Sequence, residues 1–112
     1  MKLTDALAMI PTADGKPFAI VFEHGTLSVE IFSPRGVDTQ QPHTRDEVYV
    51  VVRGRAEFLN DGVRENVHEG DLLFVPAGVV HRFENFSDDF AVWVMFYGPE
   101  GGEGSQRDLS RT

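Results

Sequence analysis

Three side chains with donors suited to a metal ion stand far apart in this chain. His43 and Glu47 occur in the segment QPHTRDE, and His81 lies in GDLLFVPAGVVHRFEN. Two imidazole nitrogens and one carboxylate suit Fe(II), Mn(II), Ni(II) or Zn(II), and a two-His, one-carboxylate set leaves coordination positions open. Residues two apart on a strand share a face, so Gln41 sits on the same side as His43. Its amide oxygen is a candidate fourth, weaker ligand, or a group that points at a metal-bound water. None of this works unless the strands carrying the residues lie side by side and turn all of them inward.

The chain has the elements to do so. Leu27, Val29 and Ile31 alternate with Ser28, Glu30 and Phe32, the period-2 pattern of a strand, and Phe18–Glu23 reads as a strand before it. Glu47–Arg53 is β-branched and aromatic and closes at Gly54. Ala56–Leu59 ends at Asn60-Asp61-Gly62, a hairpin signal because Asp-Gly accepts the positive φ of a tight turn. Val63–Val67, Leu72–Val75, His81–Glu84 and Ala91–Tyr97 complete the series. Short strands at regular spacing, punctuated by 11 Gly and 6 Pro, predict an all-β sandwich or barrel. One short helical turn is expected over Ala6–Ile10, capped by Thr4 or Asp5 and ended by Pro11. From Gly98 the chain reads GPEGGEGSQRDLSRT, with too few apolar groups to offset ordering entropy, so a mobile tail is expected over residues 98–112.

Composition narrows the function classes. At 112 residues the chain is one domain in length and long enough for a real core, for which 41% hydrophobic content and nine Phe supply material. The expected division is an N-terminal extension over 1–17, a barrel over 18–97 and the tail. Cysteine is absent, which removes disulfides, thiolate ligands and a Cys nucleophile and fits a reducing cytosol. A net charge of −8 repels phosphate backbones and anionic lipid, so neither nucleic acid nor membrane is an expected partner. No apolar run approaches the roughly 18–20 residues of a membrane span. Asp5 and Pro11 interrupt anything like a signal peptide, and the reading is a cytoplasmic protein.

The two ligand-bearing segments carry a family resemblance. Gly70-(x)5-Pro76-x-Gly78-(x)2-His81-(x)3-Asn85 resembles the second cupin motif at every position. His43-(x)3-Glu47-(x)6-Gly54 is similar to the back half of the first motif, and the 15 residues between Gly54 and Gly70 are a typical short spacing. The likeness runs from about Phe18 to Tyr97. It implies a double-stranded β-helix (a jelly-roll barrel), interior metal ligands and frequent dimerisation, hence a homodimer. The first motif usually supplies another His two residues before His43, where Gln41 stands, and Gly36 lies one residue closer than usual. The implied ligand set is therefore Gln41, His43, Glu47 and His81, with weaker affinity than a three-His site.

The functional expectation is a metal-binding cupin. Its first form is a metal-dependent enzyme (dioxygenase, cyclase or isomerase-like) acting on a small organic molecule of aromatic or polyketide-like type. The alternatives are a non-catalytic small-molecule binder and a metal-free structural barrel. Tyr49, Phe83, Trp93 and Met95 are candidate pocket residues, since alternate barrel positions face inward; ordinary core packing is the bland alternative for each. His24 and His68 fall in polar turns and read as surface groups, as do Arg53 and Arg55. No nucleophile elbow, phosphate-binding glycine loop or dinucleotide fingerprint is present.

Overall fold

The computed structural model of the chain describes residues 1–104. A short helix α1 (Leu3–Leu7) precedes eight strands: β1 (Phe18–His24), β2 (Leu27–Phe32), β3 (Asp46–Arg53), β4 (Arg55–Asn60), β5 (Val63–His68), β6 (Leu72–Val75), β7 (His81–Glu84) and β8 (Ala91–Tyr97). β2 and the last three match the expected bounds to the residue, and the others differ only at their ends. The helix departs from expectation. It starts ahead of Thr4, because the Lys2 carbonyl accepts the N–H groups of Asp5 and Ala6, and no side chain caps it. Ala8–Ile10 then tighten into a turn through bonds from Met9 to Ala6 and Ile10 to Leu7.

The strands form two antiparallel sheets, β1-β2-β8-β3-β6 and β5-β4-β7, facing each other as a jelly roll. The β4–β5 hairpin turns through Asp61 and Gly62, both with positive φ (52° and 80°), as a two-residue turn between right-twisted strands requires. Gly54, between β3 and β4, has φ +74°, and a Cβ there would come within 2.9 Å of the Phe90 Cα. Only glycine lets the β3–β4 corner pass so close to the connection between β7 and β8.

The core fills the space between the sheets with Tyr49, Phe58, Phe83 and Phe90. Phe83 lies at its centre, with ring centroids 4.8 Å from Phe58, 4.9 Å from Phe90 and 5.0 Å from Tyr49. Such tilted and edge-to-face pairs add about 0.5–1.5 kcal/mol each beyond the area they bury. Register decides which residues see this interior. Glu47, Tyr49 and Val51 of β3 sit opposite Phe96, Val94 and Val92 of β8. On β2 the apolar stripe of Val29 and Ile31 aligns with Met95 and Trp93, on the other face of the sheet. Ser28 and Glu30 therefore point inward, a reversal of the usual apolar-in pattern.

The chain after β8 is held against the barrel. Gly98 N–H bonds Thr26 Oγ1, Gly101 N–H bonds the Thr44 carbonyl, and Glu103 N–H bonds the buried carboxylate of Asp46. The first part of the expected tail, residues 98–103, thus carries backbone donors that find acceptors composition does not reveal. The remainder of that expected tail lies outside the described residues.

Candidate metal centre

Glu47 is the second residue of β3, His43 lies just before that strand, and His81 opens β7. A backbone bond of 2.7 Å from Gly78 N–H to the His43 carbonyl ties the Pro76-Ala77-Gly78 turn to the segment ahead of β3. That turn delivers His81 into the interior, across from Asn60 of β4. One donor atom from each of His43, Glu47 and His81 lies within 4.8 Å of the others. His81 and Glu47 are fully buried, while the His43 side chain keeps 34% of its surface exposed. The three residues expected to converge do so.

The fourth group is Gln40, not Gln41. Gln41 is exposed, and its amide N–H2 reaches only the Thr39 carbonyl, at 3.5 Å. The Gln40 Oε1 lies 3.3 Å from His43 Nε2, 3.2 Å from His81 Nε2 and 2.9 Å from the Tyr49 hydroxyl, which donates to it. Residues 38–43 are not in a strand, so the rule that alternate residues share a face does not hold there. Asp38 takes over that job: it is buried, accepts the Gln40 backbone N–H at 3.1 Å and the Gln40 side-chain N–H at 2.7 Å, and accepts Phe83 N–H at 2.9 Å.

These bonds fix which atoms face the centre. His81 Nδ1 lies 2.9 Å from the Val79 carbonyl, which can only accept, so Nδ1 carries the hydrogen and Nε2 of the neutral ring presents a lone pair. That lone pair meets Glu47 Oε1 at 2.7 Å and Gln40 Oε1 at 3.2 Å, two further acceptors. Glu47 Oε2 is buried with no hydrogen-bond partner among the described residues. Lone pairs aimed at one another in a buried site repel unless a cation stands between them, and an unpaired buried acceptor costs about 1–3 kcal/mol or more. A divalent metal or a proton on His81 relieves the conflict, and the donor set of two imidazoles, one carboxylate and one amide oxygen fits a metal.

The two imidazoles respond oppositely to this setting. Burial pulls the His43 pKa below its ordinary value, and the nearby Glu47 only partly offsets it. Burial also works against charge on His81, but the hydrogen bonds to Glu47 and to the Val79 carbonyl outweigh it and raise its pKa. Tyr49 is held well above the ordinary phenol value by burial and by the Glu47 and Asp38 carboxylates, so it remains a hydrogen-bond donor.

Residues 28–97 match the cupin domain family. The chain belongs to the cupin family. An uncharacterized protein of Streptomyces coelicolor is 46% identical over 63 residues, covering 56% of this cupin and 60% of that protein. An acireductone dioxygenase of Drosophila pseudoobscura pseudoobscura is 37% identical over 57 residues, covering 46% of this cupin and 30% of the dioxygenase. The matched regions thus span less than two thirds of either relative. Among solved structures, KdgF from Halomonas superposes with a TM-score of 0.63 at 25% identity, covering 71% of this chain and 76% of that one. A cupin-2 domain protein from Shewanella frigidimarina gives 0.67 at 14% identity over 88% and 94% of the two chains, a likeness of fold.

Of the expected pocket residues in this cupin, Tyr49 and Phe83 face the interior, and Tyr49 touches the site. Trp93 and Met95 do not. Their register places them on the outer face with Val48 and Val50, and the inward positions of β8 are Val92, Val94 and Phe96. Phe96 is the residue that meets the site, edge-on to His43 at 4.9 Å. Glu30 was also missed. It is an inward carboxyl whose pKa burial and the neighbouring Glu47 both raise. The run Ser28-Val29-Glu30-Ile31 shows the alternation but not which side of it is the inside. Asn85 holds a turn with φ +49° and its side-chain amide donates to Glu57.

Proposed function

We propose that this cupin binds one divalent metal through His43, Glu47, His81 and Gln40 and uses it on a small organic molecule. The observation that carries the reading is the convergence of lone pairs on one point, with Glu47 Oε2 left unpartnered in a buried site. When bound, the metal supplies Lewis acidity or the capacity to bring O2 or water to a substrate. The chain's own residues set the rest. Val79 fixes the His81 tautomer, Asp38 orients the Gln40 amide, and Glu47 contributes the negative charge that balances the cation. Phe96 and Tyr49 border the site with apolar ring surface, and the Tyr49 hydroxyl holds a proton there as a donor. The named dioxygenase among the relatives supports oxygenase chemistry as the first class to test.

Elemental analysis of protein purified without chelator, followed by O2-consumption assays against small aromatic compounds, tests this reading. Turnover that survives complete metal removal contradicts it.

A second reading rests on the 2.7 Å contact between His81 and Glu47. A proton on His81 satisfies that pair as well, giving a metal-free barrel that binds a ligand without catalysis. Metal titration separates the two.

A cytoplasmic homodimer belongs to the same proposal. Phe18, Ile20 and Phe22 on the edge strand β1 are exposed, an apolar edge that a second copy would cover. Among the described residues no helix is long and apolar enough to cross a membrane.

A further inference from the structure

We infer that Pro99–Glu103 forms a strap, clasped by Asp46, that lines the cleft beside His43 and controls how readily His43 is reached from solvent. Asp46 is buried and sits beside Glu47 on β3. A buried carboxylate needs partners, and both of its oxygens have one. Oδ1 accepts Ala77 N–H at 2.9 Å, from the turn that delivers His81, and Oδ2 accepts Glu103 N–H at 2.8 Å, from the strap. One side chain therefore joins the ligand-bearing turn to a segment beyond the last strand.

The fit of the strap is close. Gly101 N–H bonds the Thr44 carbonyl at 2.7 Å, next to His43, and Gly102 N–H closes a turn onto the Pro99 carbonyl at 3.0 Å. Gly102 has φ +88°, and a Cβ on it would sit 2.7 Å from Asp46 Oδ1 and 3.1 Å from the Ala77 Cβ. Only glycine passes there. The cleft beside His43 is lined by Pro42, Thr44 and Gly78 together with Glu100 and Gly101 of the strap. His81 and Glu47 are buried behind His43, which alone of the three reaches solvent, so the strap borders the exposed approach to the centre. Two bonds, from Gly101 and Glu103, hold its outer part, and segments held by few bonds open locally without unfolding the sheets around them.

The inference goes beyond the metal reading and is tested on the metal-free chain, so the two fail separately. The probe is diethyl pyrocarbonate, which modifies accessible neutral imidazoles, with rates read by peptide mass spectrometry at neutral pH. His24, exposed at the end of β1, serves as the internal standard. Two variants are compared with the parent after thermal melts confirm folding: Asp46→Ala, which removes the clasp, and Gly102→Leu, whose side chain collides with Asp46 Oδ1 and the Ala77 Cβ and so unseats the strap while keeping the Asp46 carboxylate. The expected result is roughly tenfold faster modification of His43 relative to His24 in both, the scale of losing one charge-assisted hydrogen bond from the closed state. An unchanged His43 rate in folded Gly102→Leu overturns the strap, even if Asp46→Ala is faster, because that pattern traces the effect to the Ala77 turn. Should Asp46→Ala fail to fold, Gly102→Leu alone decides.

Discussion

Asp38 accepts the side-chain N–H of Gln40 at 2.7 Å and thereby turns the Gln40 oxygen toward both imidazoles of the site. An amide free to flip would present either end to a cation. Held by a buried carboxylate, this one presents only its acceptor. Gln40→Ala is therefore expected to weaken metal affinity by about tenfold or more, and Asp38→Asn to do so within the 10–100-fold range typical of groups that orient a ligand. Gln41→Ala, at an exposed position, leaves affinity within about twofold, the scale of a surface change. Competition titration with a chromophoric chelator measures all three.

Metal affinity should depend on pH through His81 first. Its pKa is raised by the Glu47 and Val79 hydrogen bonds despite burial, so protons compete with metal at a pH above the ordinary imidazole value of 6.5. His43, lowered by burial, adds its competition only below that value. Affinity is thus expected to begin falling above pH 6.5 as acid is added and to steepen further down. Affinity flat from neutral to mildly acid conditions contradicts His ligation.

The metal-free protein has its own pH signature, with the sign set by the same two residues. A raised folded pKa on His81 stabilises the fold fully below the unfolded value of 6.5, and this contribution is lost as pH rises through the folded value. His43 acts in reverse: its lowered pKa destabilises the fold as pH falls from 6.5 toward the folded value. In thermal melts of metal-free protein, His81→Gln is expected to remove the decline on the alkaline side. Added metal should raise the melting temperature most where His81 is neutral.

Packing predictions separate the interior from the outer face. Phe83→Ala empties the centre of the aromatic cluster and is expected to cost about 3–5 kcal/mol in urea unfolding. Trp93→Ala lies across the sheet from the site and should leave metal affinity unchanged. Ile20→Lys places a charge on the exposed edge of β1 and is expected to convert a dimer to monomer in sedimentation. A monomeric parent protein contradicts the dimer.

How far the amino-acid sequence reached follows from what each signal depends on. The strands were readable because β-branched and aromatic runs alternate with Gly, Pro and Asp-Gly turns, and those signals are local. His43, Glu47 and His81 were readable because two spaced motifs carry them. Gln41 in place of Gln40 was an error of geometry: a strand rule was extended into the loop before β3, where Asp38 dictates orientation. Trp93 and Met95 failed for a different reason. Alternation along β8 yields two faces, and only register with Tyr49 and Glu47 tells which one is inside. Inward-facing Glu30 was hidden by the same ambiguity, since Val29 and Ile31 make an apolar stripe on the other face of the sheet, where Ile31 is itself fully buried. The docking of Gly98–Gly104 depends on backbone bonds to Asp46 and Thr44, which composition does not encode.

The most direct measurement is metal stoichiometry, by elemental analysis after loading and desalting, of the parent protein beside His81→Ala, with circular dichroism to confirm that both are folded. Close to one divalent ion per parent chain and essentially none on the folded variant is the expected result. A parent protein that holds no metal after loading, with a melting temperature indifferent to added Mn(II), Ni(II), Zn(II) or anaerobic Fe(II), contradicts a metal at the point where His43, Glu47, His81 and Gln40 meet.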